Sequence, residues 1–459
     1  MIEENIKPMK KLKKFGAILA TTILVGTAAP TFQIAGTEFN VTTEAAAASQ
    51  APEINANAAF AIEAGTGKVL LNQNGDTPLG IASMTKMIVE YILFEAIEAG
   101  EVSWDQQVSI SDYAFKISHD TRLSNVHLRQ DETYSIEELY QSLAIYSANG
   151  STIAIAEAIA GSEPAFVDLM REQLDEWGIT EYQIYNATGL NNSDLQGNVY
   201  PGSSETDENT MTARGIAEVA MHLVNDYPEV LETTSIPKMT FREGTSDAID
   251  MSNWNWMLEG LLFERENVDG LKTGTTDFAG ASIAGTAKED DMRIITIVMN
   301  AENGETDKGA RFKETDKIMD WVFANWDFLD VYKEGDVVSE AGTVAVDKGK
   351  ADSAEVSAGS DVTIVVPQGT DAESVTADFV ADPELLNAED QVTAPLKKGQ
   401  EMGKVQVSVE GEDLGYIDGN DGQEVSAVAT EAIEKANVFV LSGRWVGNFF
   451  SDLFADIFK

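Results

Sequence analysis

Ser83 and Lys86 stand three residues apart in Ser83-Met84-Thr85-Lys86, at the head of a mostly apolar stretch that reads as a helix from Ser83 to Ala99. Positions three apart share a helix face, so the lysine amine can reach the serine hydroxyl. A serine hydroxyl is a weak nucleophile and needs an adjacent base. A lysine fills that role when burial or a second cation keeps it neutral. Ser147-Ala148-Asn149 follows the end of another helix, where Ser147 can relay a proton and Asn149 can hold a substrate amide. Lys272-Thr273-Gly274 ends a strand that begins at Val268. It offers a cation and a hydroxyl to a carboxylate, and a glycine beside which another backbone can lie close. Each triplet alone also has a plain structural reading, as a helix cap or a strand end. The chain even carries a decoy, Ser235-Ile236-Pro237-Lys238, with a proline between the pair and no apolar helix around it.

Their order carries the information. S-x-x-K, S-x-N and K-T-G, on a helix, a loop and a strand, are the set of the penicillin-binding proteins and class A β-lactamases. That makes serine acyl transfer the reading. The chain has no cysteine, which excludes disulfides and a thiol nucleophile. His119, His127 and His222 lack the close spacing of a metal site, so neither a metal nor a cofactor is expected. Acidic residues number 77 against 31 basic ones, a net charge of −46 that repels phosphate backbones and argues against a nucleic-acid partner. A surface that acidic suits a saline or alkaline medium.

The 459 residues divide by pattern. Lys7, Lys10, Lys11, Lys13 and Lys14 precede an apolar run from Phe15 to Ala29, and Ala45-Ala46-Ala47-Ala48 offers a cleavage site. Residues 1–48 therefore read as a secretory signal. A strand pair, Ala58–Ala64 and Lys68–Asn72, opens the next domain. Helices fill its middle, including one with a capping box in Ser135-Ile136-Glu137-Glu138 and one from Ser151 to Ala160. Others fall at 163–177, 212–225 and 311–326. Strands return at Val268–Thr273, Ala279–Ala287 and Arg293–Asn300. That order predicts an α/β domain over 49–330, a central antiparallel sheet closed by strands from both ends with a helical lobe inserted. Short Val- and Thr-rich stretches then predict a small all-β domain over 331–423, whose place suggests a spacer. The last segment, 424–459, is expected to carry an amphipathic helix. From Val438, the apolar Leu441, Trp445, Phe449 and Leu453 recur opposite Arg444, Asn448, Asp452 and Asp456. Such a helix lies on a membrane surface without crossing it.

The sequence resembles the low-molecular-mass penicillin-binding proteins, the serine-type D-alanyl-D-alanine carboxypeptidases, particularly the DacA type of Gram-positive bacilli. The likeness rests on Ile81-Ala82-Ser83-Met84-Thr85-Lys86-Met87, Ile145-Tyr146-Ser147-Ala148-Asn149, Asn186-Ala187-Thr188-Gly189-Leu190, Val268-Asp269-Gly270-Leu271-Lys272-Thr273-Gly274 and Gly309-Ala310-Arg311-Phe312. It extends through the β-rich domain and the tail. The resemblance implies the penicillin-binding protein/β-lactamase-like transpeptidase fold and removal of the terminal D-alanine from peptidoglycan stem pentapeptides. It also implies acylation by β-lactam antibiotics. The leader and the tail themselves point to export and to attachment at the outer face of the cytoplasmic membrane. Ser83 would attack, with Lys86 as base and the backbone N–H groups of Ser83 and Thr275 holding the oxyanion. Ser147 and Lys272 would pass the proton to the leaving group. Lys272, Thr273 and Thr275, beside Gly274, would receive the terminal carboxylate. Many relatives carry histidine where this chain has Thr275. Arg214, in Met211-Thr212-Ala213-Arg214, matches a segment that brings a basic residue near the site in some relatives. A class A β-lactamase is disfavoured, because Glu181 is followed four residues later by Tyr185 and not by the asparagine of E-x-x-x-N.

Overall fold

The computed structural model describes residues 50–409, 414–420 and 422–438. The expected signal segment, 1–48, lies outside the described residues, as does the expected terminal helix beyond Val438. Alternation sets the central sheet. In β1 (Ala56–Glu63), Ala58, Phe60 and Ile62 enter one core while Ala59 and Ala61 enter another. This is the period of two of a strand buried on both faces. β2 (Val69–Gln73) returns beside it. The other strands come from the far end of the domain: β3 (Val268–Thr276), β4 (Gly280–Glu289) and β5 (Met292–Ala301). All pair antiparallel in the order β3-β4-β5-β1-β2, with Phe60 opposite Ile297.

The chain between β2 and β3 builds a helical lobe on one face of the sheet. Its helices are α1 (Lys86–Glu98), α2 (Asp112–Ser118), α3 (Ile136–Tyr146), α4 (Asn149–Ala160), α5 (Glu163–Glu176), α6 (Ala213–Asp226) and α7 (Val230–Thr234). The opposite face is covered by α8 (Ala310–Asn325), through Phe312, Ile318, Met319 and Val322. Residues Lys86 to Phe94 of α1 are all buried, as befits a helix apolar on every side at the centre of the lobe. α3 starts on the capping box, Ser135 Oγ accepting from Glu138 N at 3.1 Å while Glu138 Oε2 accepts from Ser135 N at 2.9 Å.

Two expectations are corrected. The helix read from Ser83 begins instead as a 3-10 turn, Ala82–Thr85, and α1 proper starts at Lys86. Side chains three apart eclipse in 3-10 geometry, so the Ser83–Lys86 spacing works even better across this junction. The β-rich domain also outruns its expected limits of 331 and 423. Trp326–Tyr332 already pairs with Val362–Pro367. Gln423–Ala429 is a central strand of a six-stranded sheet, with Val425, Ala427 and Ala429 facing inward and Ile433 and Ala436 still buried beyond it. The periodic apolar residues there belong to a strand pattern, not to the start of the tail. From this domain, segment 414–420 reaches the first hairpin: Val69 N donates to Gly415 O at 3.0 Å, and Ile417 N donates to Gly67 O at 2.9 Å.

Removing the α3 cap is expected to lower stability modestly without touching the chemistry. Ser135→Ala should cost about 1 kcal/mol in urea unfolding, with penicillin acylation of the folded protein unchanged.

Candidate active site

The turn bearing Ser83 is held in an uncommon backbone shape. Ala82 lies at φ +45°, in the left-handed region that side chains disfavour. Close neighbours on two sides impose it. Gly189 sits at φ +76°, and a Cβ there would fall 1.8 Å from Ala82 O. On β3, a Cβ at Gly274 would fall 2.6 Å from Ile81 O. Both glycines therefore stand where the Ser83 turn presses against another backbone.

Lys86 is fully buried and its amine is held at three points. Nζ lies 3.1 Å from Ser83 Oγ, 2.9 Å from Asn149 Oδ1 and 2.7 Å from Thr188 O. A neutral amine has two N–H donors and one lone pair. Asn149 and Thr188 can take the two donors, leaving the lone pair for the Ser83 hydroxyl. Burial, and then the nearby charge of Lys272, hold the Lys86 amine well below its usual 10.5, while Glu90 and Glu163 pull it back up. Asn149 has a further task that the sequence did not show: its Oδ1 accepts from Lys86 Nζ while its Nδ2 donates to Ser124 O at 3.0 Å, so the amide holds the lysine and keeps its second Nδ2 hydrogen. The Thr188 carbonyl is set by Asn186, whose Oδ1 accepts from Thr188 N, Thr188 Oγ1 and Gly189 N.

Ser147 closes α3 at φ +58°, a strained conformation that turns its hydroxyl toward the cleft. Its Oγ is buried and has no hydrogen-bond partner among the described residues. Ser83, Ser147, Thr273 and Thr275 all line one cleft of about 210 Å³. Lys272 is buried and is not among the lining residues. Burial lowers it to about 8, opposed by Glu90 and assisted by Arg311.

Arg214 is elsewhere. Thr212 caps α6, and Arg214 N donates to Gly75 O, which draws the first helical turn toward the segment that leaves β2. There Arg214 Nε donates to Asp76 Oδ1 at 2.6 Å, and the guanidinium lies 4.9 Å over the Phe60 ring. It borders a different hollow, with 414–420.

A cation that does face the cleft, and that holds β3, is Arg311 of α8, quoted in the sequence only as part of a likeness. Its Nη1 donates to Gly274 O and Ser282 O, both at 2.8 Å, and Nη2 donates to Thr275 Oγ1 at 2.7 Å. Arg122, Lys308, Ser124, Trp254, Trp256 and Phe312 complete the lining. Trp254 is fixed by Nε1, which donates to Ser124 Oγ at 3.0 Å and Tyr146 O at 3.1 Å. No local spacing announces these residues, because they come from three widely separated segments, 122–124, 254–256 and 308–312.

A hydroxyl resting on a buried amine, a second free hydroxyl and a cation-backed strand edge, on this sheet and lobe, define a serine acyl-transfer enzyme. Over residues 44–303 the sequence matches the D-alanyl-D-alanine carboxypeptidase family, and over 328–435 the C-terminal domain of penicillin-binding protein 5. The chain belongs to the D-alanyl-D-alanine carboxypeptidase family. Among curated relatives it is 28% identical to the D-alanyl-D-alanine carboxypeptidase DacF of Bacillus subtilis, over 86% of this chain and 90% of that one. The crystal structure of a peptidoglycan synthesis regulatory factor, PBP3, from Streptococcus pneumoniae matches with 36% identity and a TM-score of 0.66, covering 83% of this chain and all of that one. Penicillin-binding protein D2 of Listeria monocytogenes, in its cefotaxime-bound form, matches with 28% identity and a TM-score of 0.50, over 60% of this chain and 100% of that one.

Gly274→Ala is expected to push the Ser83 turn off β3. Acylation by benzylpenicillin should slow by about tenfold or more, while circular dichroism shows the fold retained.

Proposed function

We propose that the protein removes the terminal D-alanine from peptidoglycan stem pentapeptides through an acyl-enzyme on Ser83. The observation that carries this reading is the buried Lys86 amine, anchored by Asn149 and Thr188 with its remaining position on Ser83 Oγ. Ser83 Oγ attacks the carbonyl between the two D-alanines as its proton passes to Lys86. The backbone N–H groups of Ser83 and Thr275 hold the oxyanion, Thr275 lying on the edge strand of the sheet. The C–N bond breaks, and the departing amine takes a proton relayed from Lys86 by the Ser147 hydroxyl. Thr273 and Thr275 receive the terminal carboxylate, with Arg311 and the charge of Lys272 behind them. Water then hydrolyses the ester. A β-lactam follows the same route, its ring amide opening onto Ser83.

We further propose that the protein is exported and works at the extracytoplasmic face of the cell membrane, held there by its terminal helix. The basic-then-apolar leader and the aromatic amphipathic tail support this. Truncation after Ala436 is expected to release the protein from the membrane pellet into the soluble fraction while leaving penicillin acylation intact. Persistence in the pellet would overturn the anchor.

Intact-mass spectrometry after brief exposure to benzylpenicillin should show one adduct, mapping to Ser83, and D-alanine should be released from a pentapeptide. Ser83→Ala should abolish both, and a surviving adduct would overturn the assignment. The rate of acylation should fall on the alkaline side as Lys272 loses its proton near about 8. On the acidic side it should fall as Lys86 gains one.

A further inference from the structure

Glu90 has no task in the acyl-transfer site described so far. It follows Lys86 by one helical turn, so the two side chains leave α1 on the same face. It is 1% exposed, while Glu95 and Glu98 of the same helix are exposed. Its Oε1 is buried without a hydrogen-bond partner among the described residues, and the buried Tyr140 of α3 feels its charge. An apolar side chain of similar volume would fit this core at lower cost. The acid must therefore be explained by what its charge does. The cations that act on it are Lys86 of α1 and Lys272 of β3.

We propose that Glu90 is a positioning residue, a buried anion behind the two lysines that keeps Lys272 cationic for the substrate's carboxylate while Lys86 serves as base. This rests on the roles proposed above for Lys86 and Lys272. Burial pushes Glu90 up to about 7, against the pull of Lys272 and Lys86. Its charge therefore appears as the pH rises toward the range where Lys272, drawn down by burial and by Arg311, would lose its proton. The groups facing this cluster are few. Tyr140 of α3 feels the charge of Glu90, and also those of Glu229 at the start of α7 and Glu232 within it. Arg311 of α8 acts on Lys272, and Glu163 of α5 acts on Lys86.

The sign follows. Removing the anion lowers the titration of Lys272, so the alkaline limb, where Lys272 must be charged, moves to lower pH, while on the acidic side Glu90 is already protonated and its loss matters less. The experiment uses the full chain with Glu90→Gln and compares pH profiles of benzylpenicillin acylation and of kcat/KM for D-alanine release. Expected is a displacement of the alkaline limb to lower pH by about half a unit or more. KM should rise about threefold or more on the alkaline side, with kcat much less affected, as weakened carboxylate binding requires. Glu90→Asp, which keeps the charge, should restore the wild-type position. Should Glu90→Gln not fold, Glu90→Leu removes the same charge from an apolar setting and reads the same displacement. A profile superimposable on wild type, or a loss uniform over pH that tracks a lowered Tm, would overturn the proposal. Ser83-dependent acylation with an unshifted profile overturns Glu90 alone, whereas acylation surviving Ser83→Ala overturns the reading beneath it.

Discussion

Taking a lysine amine out of water disfavours its charged form, and in this protein that desolvation is what turns an ordinary serine into a nucleophile. Lys86 must be buried deeply enough to give up its proton, yet its remaining N–H groups must be satisfied, because unpaired donors in a dry interior are costly. The structure meets both demands with one side-chain carbonyl, from Asn149, and one backbone carbonyl, from Thr188. Much of the lobe can be seen as support for those two acceptors. α4 begins at Asn149 to place its amide, Ser124 anchors the other end of it, and Asn186 closes the loop that aims Thr188.

A second consequence is crowding. The nucleophile's turn is pressed between the Gly189 loop and β3, so the backbone at Ala82 accepts a conformation it would not adopt alone. Ser147 makes a similar concession at the end of α3. Strain of this kind persists only where the surroundings over-determine it. Here the surroundings are the sheet edge, α1 and α4, and the serine hydroxyls are held ready for the substrate.

The sequence made the sheet, the capping box of α3 and the three motifs legible, because alternation, capping chemistry and i,i+3 spacing are local signals. It also showed that first and last strands would meet, since strand patterns bracket a helical middle. What it hid was nonlocal. Arg214 carries the right charge but sits on a helix whose first turn is drawn toward Gly75 and Asp76, and nothing within four residues of it reveals that. The bonds of Asn149 to Lys86 and to Ser124, the latter far back in the chain, were equally out of local reach. Arg311 became visible as part of the site only once α8 was seen to lie across the sheet from the lobe. The boundary at 423 failed for a simpler reason. Apolar residues with a period of two, Val425, Ala427 and Ala429, were absorbed into a neighbouring segment with a different period.

The strand order has a bearing on the protein's birth. β1 lies between β2 and β5, and Ser83 follows β2 closely, but its cradle is finished by β3 and locked by Arg311 of α8. A ribosome therefore releases the nucleophile long before the residues that complete its setting. Contacts between such distant parts of a chain form late and slowly. Until β3 and α8 have emerged, the strand edge beside Ser83 and the arginine that holds it are both missing from its setting.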